Sequence, residues 1–310
     1  MSTVVAITSG KGGTGKTTLA LNIAVSSFFP ITLLDCDVDA ADLHLLVAAN
    51  QQDSETEPFI SGFKAVVDPY LCTGCGRCQE VCRFHAVETT AEQRPSGNTI
   101  ARIAHLACEG CGCCVDECPT GAISFIENTA GDLSVSPSRF GTLVHAQLHP
   151  GEGSSGKLVT KVREKAQEIA KREDSGLILI DGSPGIGCPV IASLTGTDAI
   201  LIVTEPTVSG LHDLNRVADL SAYLKIPAYA VVNKCDIDLE MTEKITNNCR
   251  ERDVEVLGRV PFDLAFVEAL SAGVTVVEYN NSSLADDLRN IWSSLVDKVG
   301  KSGKGDQDDN

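Results

Sequence analysis

Positive charge is what this sequence has least of. Its 310 residues hold 25 Lys and Arg against 42 Asp and Glu, a formal net charge of −17. Nucleic acids and anionic lipid surfaces are polyanions that recruit lysine and arginine, so neither is expected as a partner. Long apolar runs are also missing. No stretch approaches the roughly 20 residues needed to cross a bilayer, and the first residues lack a charged, then apolar, then small signal pattern. A cytoplasmic protein is expected. What is present is enough apolar material for a core, 43% of the chain, in a length that suits one large or two ordinary domains. Thirteen cysteines would suit a disulfide scaffold only in a short secreted chain; here most of them cluster at metal-ligand spacing, which points to metal.

Cys72, Cys75, Cys78 and Cys82 follow C-x2-C-x2-C-x3-C, and Cys108, Cys111, Cys114 and Cys118 repeat it, with Pro119 closing the second copy. The repeat extends past the cysteines. VVDPYLCTGCGRCQEVCRFHAV aligns with RIAHLACEGCGCCVDECPTGAI at an offset of 36 residues, the pattern of a duplicated half-domain. Soft thiolates at this spacing suit iron-sulfur clusters. Zinc also accepts four cysteines, although its ribbons usually show two separated C-x2-C pairs. The block resembles a bacterial-type two-cluster ferredoxin. That resemblance implies one 4Fe-4S cluster on Cys72, Cys75, Cys78 and Cys118, and a second on Cys82, Cys108, Cys111 and Cys114. Gly74, Gly76, Gly110 and Gly112 would let backbone amides turn toward cluster sulfurs. Arg83 stands where the first copy would often carry proline, and a cation there would raise a cluster's potential. Cys113 is left over as an extra thiol.

The first residues read VVAITSGKGGTGKTTLALNIAV: a β-branched run, a glycine-rich turn, then apolar residues at helical spacing. Gly10, Gly15, Lys16 and Thr17 satisfy the P-loop pattern in its strand-loop-helix context, with Gly12, Gly13, Thr14 and Thr18 completing the loop around the phosphates. Lys16 would hold the β- and γ-phosphates of ATP, and Thr17 would ligate Mg2+. GEGSSGKL at 151–158 also fits GxxxxGK, but Leu158 cannot ligate magnesium; Ser154 or Ser155 is expected to cap a helix starting near Lys157.

Lys11, directly after the first glycine, resembles the deviant Walker A of the MinD, ParA and Mrp ATPases and of the nitrogenase iron protein. The resemblance implies a homodimer in the ATP state, in which Lys11 reaches the partner's phosphates. It also implies that Asp37 orients the attacking water and that Asp35 lies near the magnesium shell. Asp181, ending the strand of LILIDGSPGIG, would hold magnesium through water, and Gly185 would offer its amide to the γ-phosphate. Asn233 in VVNKCD would face adenine, and Pro261 would lie in the following base-proximal loop. Cys188, just after this switch segment, is a candidate for redox linkage.

Apolar strands near 3–8, 31–35, 177–181, 199–204, 228–233 and 256–260 alternate with helical stretches. The fold expected is α/β, a doubly wound, mostly parallel sheet, with an inserted small α+β ferredoxin-like domain. The ATPase would occupy 1–58 and 129–300, the insertion 59–128, and a disordered acidic tail 301–310. QQDSETEP and NTAGDLSVSPS read as polar junctions. The last helix carries Leu284, Leu288, Ile291, Trp292 and Leu295 on one face. MinD members end in a membrane-targeting helix, but here the polar face is acidic, so packing on the sheet is expected.

The leading functional expectation is a slowly hydrolysing ATPase dimer whose nucleotide state gates electron transfer through the two clusters to a redox or iron-sulfur partner. An Mrp-type cluster carrier is the alternative, although no C-x-x-C follows residue 118. A MinD- or ParA-like positional switch with a redox sensor is a third.

Overall fold

The structure is a computed structural model that describes residues 2–27, 30–39, 41–47, 51–90, 99–153, 155–280 and 282–302. Two compact units emerge: residues 1–56, 133–147 and 155–310 form the larger, and 57–132 with 148–154 the smaller. The segment 148–154 rejoins the smaller unit, whereas the sequence placed it with the nucleotide half.

The chain begins with β1 (Thr3–Ser9), α1 (Lys16–Val25), β2 (Ile31–Asp35), α2 (Leu43–Leu46) and β3 (Glu55–Val67). The cysteine-rich stretch gives α3 (Arg77–Val81), β4 (Val87–Thr90), β5 (Ile100–Ile103) and α4 (Cys113–Asp116). Then come β6 (Ile123–Ser138), β7 (Gly141–Leu148), α5 (Ser155–Arg172), β8 (Leu177–Pro184), α6 (Cys188–Leu194) and β9 (Ala199–Thr204). The chain continues with α7 (Val208–Leu224), β10 (Ala228–Asn233), α8 (Leu239–Glu251) and β11 (Glu255–Val260). It closes with α9 (Ala265–Ser271), α10 (Val276–Tyr279) and α11 (Ser283–Ser302).

The nine-stranded sheet has the order β11-β10-β9-β1-β8-β2-β7-β6-β3, and every pair from β11 to β7 is parallel. Both faces of its central strands are buried, which is why they read as unbroken apolar runs. On one face Val5, Ile7, Leu179, Leu201 and Val231 share a core with α1, α9, α10 and α11. The alternate residues, among them Ala6, Ile180 and Ile202, are equally buried, and α5, α6 and α7 pack on β2, β8 and β9. The fold is therefore doubly wound, as the strand pattern implies.

Three details depart from the sequence reading. β7 was not expected, and the two polar junctions are largely strand. Ser54 and Ser136 bond each other at 2.6 Å and Thr56 and Ser134 at 2.9 Å, so these polar residues satisfy one another across the sheet. The last helix runs to Ser302, two residues into the expected tail, and 303–310 lie outside the described residues. Its five apolar residues are all buried in the core, as expected of a helix that packs on the sheet. Among the described residues no helix is long and apolar enough to cross a membrane.

Candidate nucleotide pocket and cysteine cavities

Residues 10–15 form the turn between β1 and α1, and Gly15, at φ 90, opens the helix. A side chain there is excluded twice, by the left-handed backbone and by collision with the Asn233 amide. Asn233, at the end of β10, donates to the Thr14 carbonyl at 2.8 Å while its Oδ1 accepts from the Lys234 amide at 3.0 Å. The residue expected to face adenine thus also braces the P-loop. Lys234 adds a second brace, its ammonium 3.2 Å from the Gly13 carbonyl. Thr14 Oγ1 is buried without a protein partner, a hydroxyl that a phosphate oxygen would satisfy.

Parallel pairing of β2 with β8 aligns Asp35 with Asp181 in register, so two buried carboxylates meet beside the P-loop. The Lys16 ammonium lies 3.0 Å from Asp181 Oδ1 and 3.4 Å from Thr17 Oγ1. Burial alone would push Lys16 down, yet Asp181, with Asp37 and Asp35, holds it above the ordinary lysine value. Burial and the Asp181 charge raise Asp35 to about 8, although it accepts from the amides of Asp37 at 3.0 Å and Leu43 at 3.1 Å. Asp181 and Asp37 are also raised, chiefly by burial. Three carboxylates near one ammonium carry excess negative charge, and the oxygens of Thr17, Asp35 and Asp181 are of the kind magnesium prefers. Gly185 donates its amide to the Ser9 carbonyl at 2.8 Å, and Ser183 Oγ donates to the Cys36 carbonyl.

Lys11 is folded back onto its own chain: its ammonium is 2.6 Å from Glu205 and 3.0 Å from Ser209 Oγ. Glu205 also pairs with Lys234 at 3.1 Å. Burial would raise this carboxylate, but the two ammonium groups hold it below the ordinary value. Sequence reasoning missed Glu205, which lies in no marked motif, and Lys234, which lies inside VVNKCD beside Asn233. The Lys that directly follows Asn233 is the one local signal. Pro261 follows β11, and the next amide, Phe262, donates to Asp236 Oδ1 at 2.6 Å, tying that loop to the end of β10. The decoy Gly151–Leu158 enters α5 at Ser155; Ser154 lies outside the described residues.

The His44 ring of α2 stacks on His145 of β7 with centroids 5.2 Å apart. His145 Nε2 is 3.1 Å from Ser136 Oγ. Burial, with the neighbouring His44, pushes His145 down to about 4. Its folded pKa lies below the unfolded value near 6.5, so its contribution to stability is full above that value and is lost as pH falls through 4. Urea midpoints of His145→Gln should therefore fall less steeply than those of the parent between about pH 6.5 and 4. Parallel profiles would show that the ring does not titrate in this way.

The smaller unit is built as two matched halves. Gly76 and Gly112, at φ 79 and 90, precede α3 and α4. Ala86 donates its amide to Cys82 Sγ and Ala122 donates to Cys118 Sγ, both at 3.3 Å. Gly110 is forced: a side chain would strike the Phe63 carbonyl. Two cavities result. Cys72, Cys75, Cys78 and Cys118 line the first. Cys82, Cys108, Cys111 and Cys114 line the second, together with Cys113. The first thus draws three cysteines from one half and one from the other, and the second draws Cys82 from the first half and four, Cys113 included, from the second. Burial pushes Cys114 up to about 11, whereas the amides of Thr120, Ala122 and Ile123 overcome burial and hold Cys118 below the ordinary thiol. Among the described residues no three His, Cys, Asp or Glu side chains converge on a single-ion position. Four thiols arranged around a void are the donor set a thiolate-bound cluster needs, with amides already aimed at two sulfurs. Cys188 is exposed at the start of α6, and Cys36 and Cys249 are buried.

The CobQ/CobB/MinD/ParA nucleotide binding domain (CbiA) matches residues 5–276. An uncharacterized protein of Methanocaldococcus jannaschii is 28% identical over 297 residues, covering 95% of this chain and 97% of its own. An iron-sulfur cluster carrier protein of Pyrococcus abyssi is 23% identical over 322 residues, covering 98% and 88%. Among solved structures, the septum site-determining protein MinD of Pyrococcus horikoshii, complexed with Mg-ADP, aligns with TM-score 0.58 at 16% identity. That alignment covers 98% of this chain and all of the other. MinD of Pyrococcus furiosus aligns with TM-score 0.56 at 18% identity, over 96% and 100%.

Proposed function

The chain belongs to the CobQ/CobB/MinD/ParA family of P-loop nucleotide-binding ATPases, and from that premise we propose that its nucleotide state gates electron transfer through two 4Fe-4S clusters carried by the smaller unit. In this reading the smaller unit is an inserted two-cluster ferredoxin. The observation that carries the proposal is the pair of cavities, one lined by four cysteines and the other by five, each with one cysteine crossed over from the other half. When bound, such clusters supply reversible one-electron transfer.

In this reading the nucleotide-site residues take the following roles. Lys16 would leave Asp181 for the β- and γ-phosphates, freeing the Asp181 carboxylate to hold magnesium together with Thr17 and Asp35; that ion would neutralise phosphate charge. Asp37 orients the attacking water. The Gly185 amide exchanges the Ser9 carbonyl for the γ-phosphate, so the segment after β8 reports on that phosphate. Lys11 leaves Glu205 and reaches the phosphates of a second copy, which makes the ATP state a homodimer. Asn233 keeps the P-loop in shape while facing adenine, and the loop of Pro261 lies beside the base.

Coupling has a physical route within the larger unit. Asp35 holds the Leu43 amide at the start of α2; the next residue, His44, stacks on His145; His145 contacts Ser136, which bonds Ser54. Ser136 lies in β6 and Ser54 precedes β3, the two strands whose chains continue into the smaller unit. In the proposal, a change at Asp35 or Asp37 travels along these contacts to both strand roots.

The test is anaerobic. Reduced protein is mixed with a one-electron acceptor and oxidation is followed in ATP, in ADP and without nucleotide; gating predicts unequal rates, and equal rates would sink it. A second reading, cluster delivery, is favoured by the relative named as an iron-sulfur cluster carrier protein. It requires that an apo-acceptor gain a cluster from the loaded chain; absence of transfer where a known carrier succeeds removes it.

A further inference from the structure

The two cavities are matched in their cysteines but not in their charges. Lys64 of β3 is buried, and its ammonium donates to the carbonyl of Cys108 at 2.8 Å. It pairs with Glu152 at 3.3 Å, the two side chains being only 7% and 9% exposed. Glu152 is held from its other side by Asn128 Nδ2 at 2.8 Å, and Asn128 also donates to the Ser61 carbonyl at 3.2 Å. The positive end of the pair therefore rests on the peptide of Cys108, a residue of the second cavity. Cys72 is the equivalent position in the first half, and among the described residues no side-chain cation bonds its carbonyl. Arg77 lines the first cavity and Glu109 the second, but both are exposed.

We propose that the Lys64–Glu152 pair sets the redox order of the two cavities, holding a cluster in the second at the higher potential. This rests on the two-cluster reading above. A cubane ligated by four thiolates is anionic and gains one further negative charge on reduction, so a nearby cation favours the reduced form. A cation in a dry interior acts through a low effective dielectric, whereas an exposed one such as Arg77 is screened by water and salt. Glu152 opposes Lys64 and moderates the effect. An electron supplied to the chain by an external low-potential donor comes to rest in the second cavity, oxidising the first centre by one electron as the second is reduced by one.

The charges make the test two-signed. In an anaerobic potentiometric titration followed by EPR, Lys64→Gln should lower the midpoint of one centre and leave the other in place. Glu152→Gln should raise the midpoint of that same centre. The double variant should fall between them, and because it removes both partners it avoids stranding a buried charge. If Lys64→Gln does not fold, Glu152→Gln and the double variant still decide the matter. The shifting signal should survive in a Cys75→Ser background, where the first cavity lacks a thiolate; its loss there would place it in the wrong cavity and overturn the assignment. The proposal also fails if chains with full iron and sulfide show no shift, or equal shifts of both centres. A parent chain that takes up no iron and sulfide would instead overturn the two-cluster reading, and this inference with it.

Discussion

Replacing Lys16 by Ala is expected to lower ATP hydrolysis by about 10²- to 10³-fold, the range seen when one donor that stabilises transition-state charge is removed. Among the described residues the ammonium is the one cation paired with Asp181, at 3.0 Å, and it lies close enough to Asp37 and Asp35 to be held above the ordinary lysine value by all three. Its removal has two consequences that can be separated. Phosphate release falls because the charge spread over the γ-phosphoryl oxygens loses its partner. The nucleotide-free fold also changes, since Asp181 would be buried without a counterion, a situation that costs about 3–5 kcal/mol unless the carboxyl takes up a proton. Lys16→Ala should therefore be least stable at high pH, where protonation is hardest. Asp181→Asn added to Lys16→Ala should restore the urea midpoint without restoring hydrolysis. A Lys16→Ala chain that releases phosphate at the parental rate would remove this residue from the chemistry.

What could be read from the sequence follows what each element buries. β1, β2, β8, β9, β10 and β11 are covered on both faces, so their burial shows as short apolar runs, and their bounds agree with the reading to within a few residues. β7, β6 and the start of β3 with the residue before it carry His145, Ser134, Ser136, Thr56 and Ser54, polar residues that bond one another. No local pattern announces that pairing. The site divides in the same way. Glycine spacing marks a phosphate loop because backbone conformation is a local demand, and the cysteine spacing marks a ligand set for the same reason. Glu205 and Lys64 act through partners far away in the chain: Lys11 meets Ser209 198 residues on, and Lys64 meets the Cys108 carbonyl 44 residues on. Which carboxylate faces which lysine is decided by sheet order, and sheet order is a tertiary fact. Asn233 shows the limit from the other side. Its position at a strand end was legible, but its bond to the Thr14 carbonyl was not.

Pairs of cysteine substitutions should behave according to the cavity rather than the motif. Cys75→Ser and Cys118→Ser lie in different motif copies but line the same cavity; Cys75→Ser and Cys82→Ser share a motif copy but line different cavities. After anaerobic reconstitution, Cys75→Ser/Cys118→Ser should keep about half the parental iron and sulfide, whereas Cys75→Ser/Cys82→Ser should keep almost none, since each cluster needs all four thiolates. Cys113→Ser should keep the full amount. The effect on the fold should be equally uneven. The interior of the smaller unit is mostly small: Ala65, Ala86, Ala101 and Ala122 with Val87, Ile123 and the thiols themselves. So little apolar surface cannot order a unit of this size alone, and ligand binding becomes part of its folding free energy. The Cys75→Ser/Cys82→Ser chain should accordingly be cut by protease within the smaller unit, while the larger unit, with its own core under α1 and α11, still binds nucleotide. The opposite ranking of the two double variants would mean that each motif copy holds its own metal, and the crossed assignment of Cys82 and Cys118 would have to be abandoned.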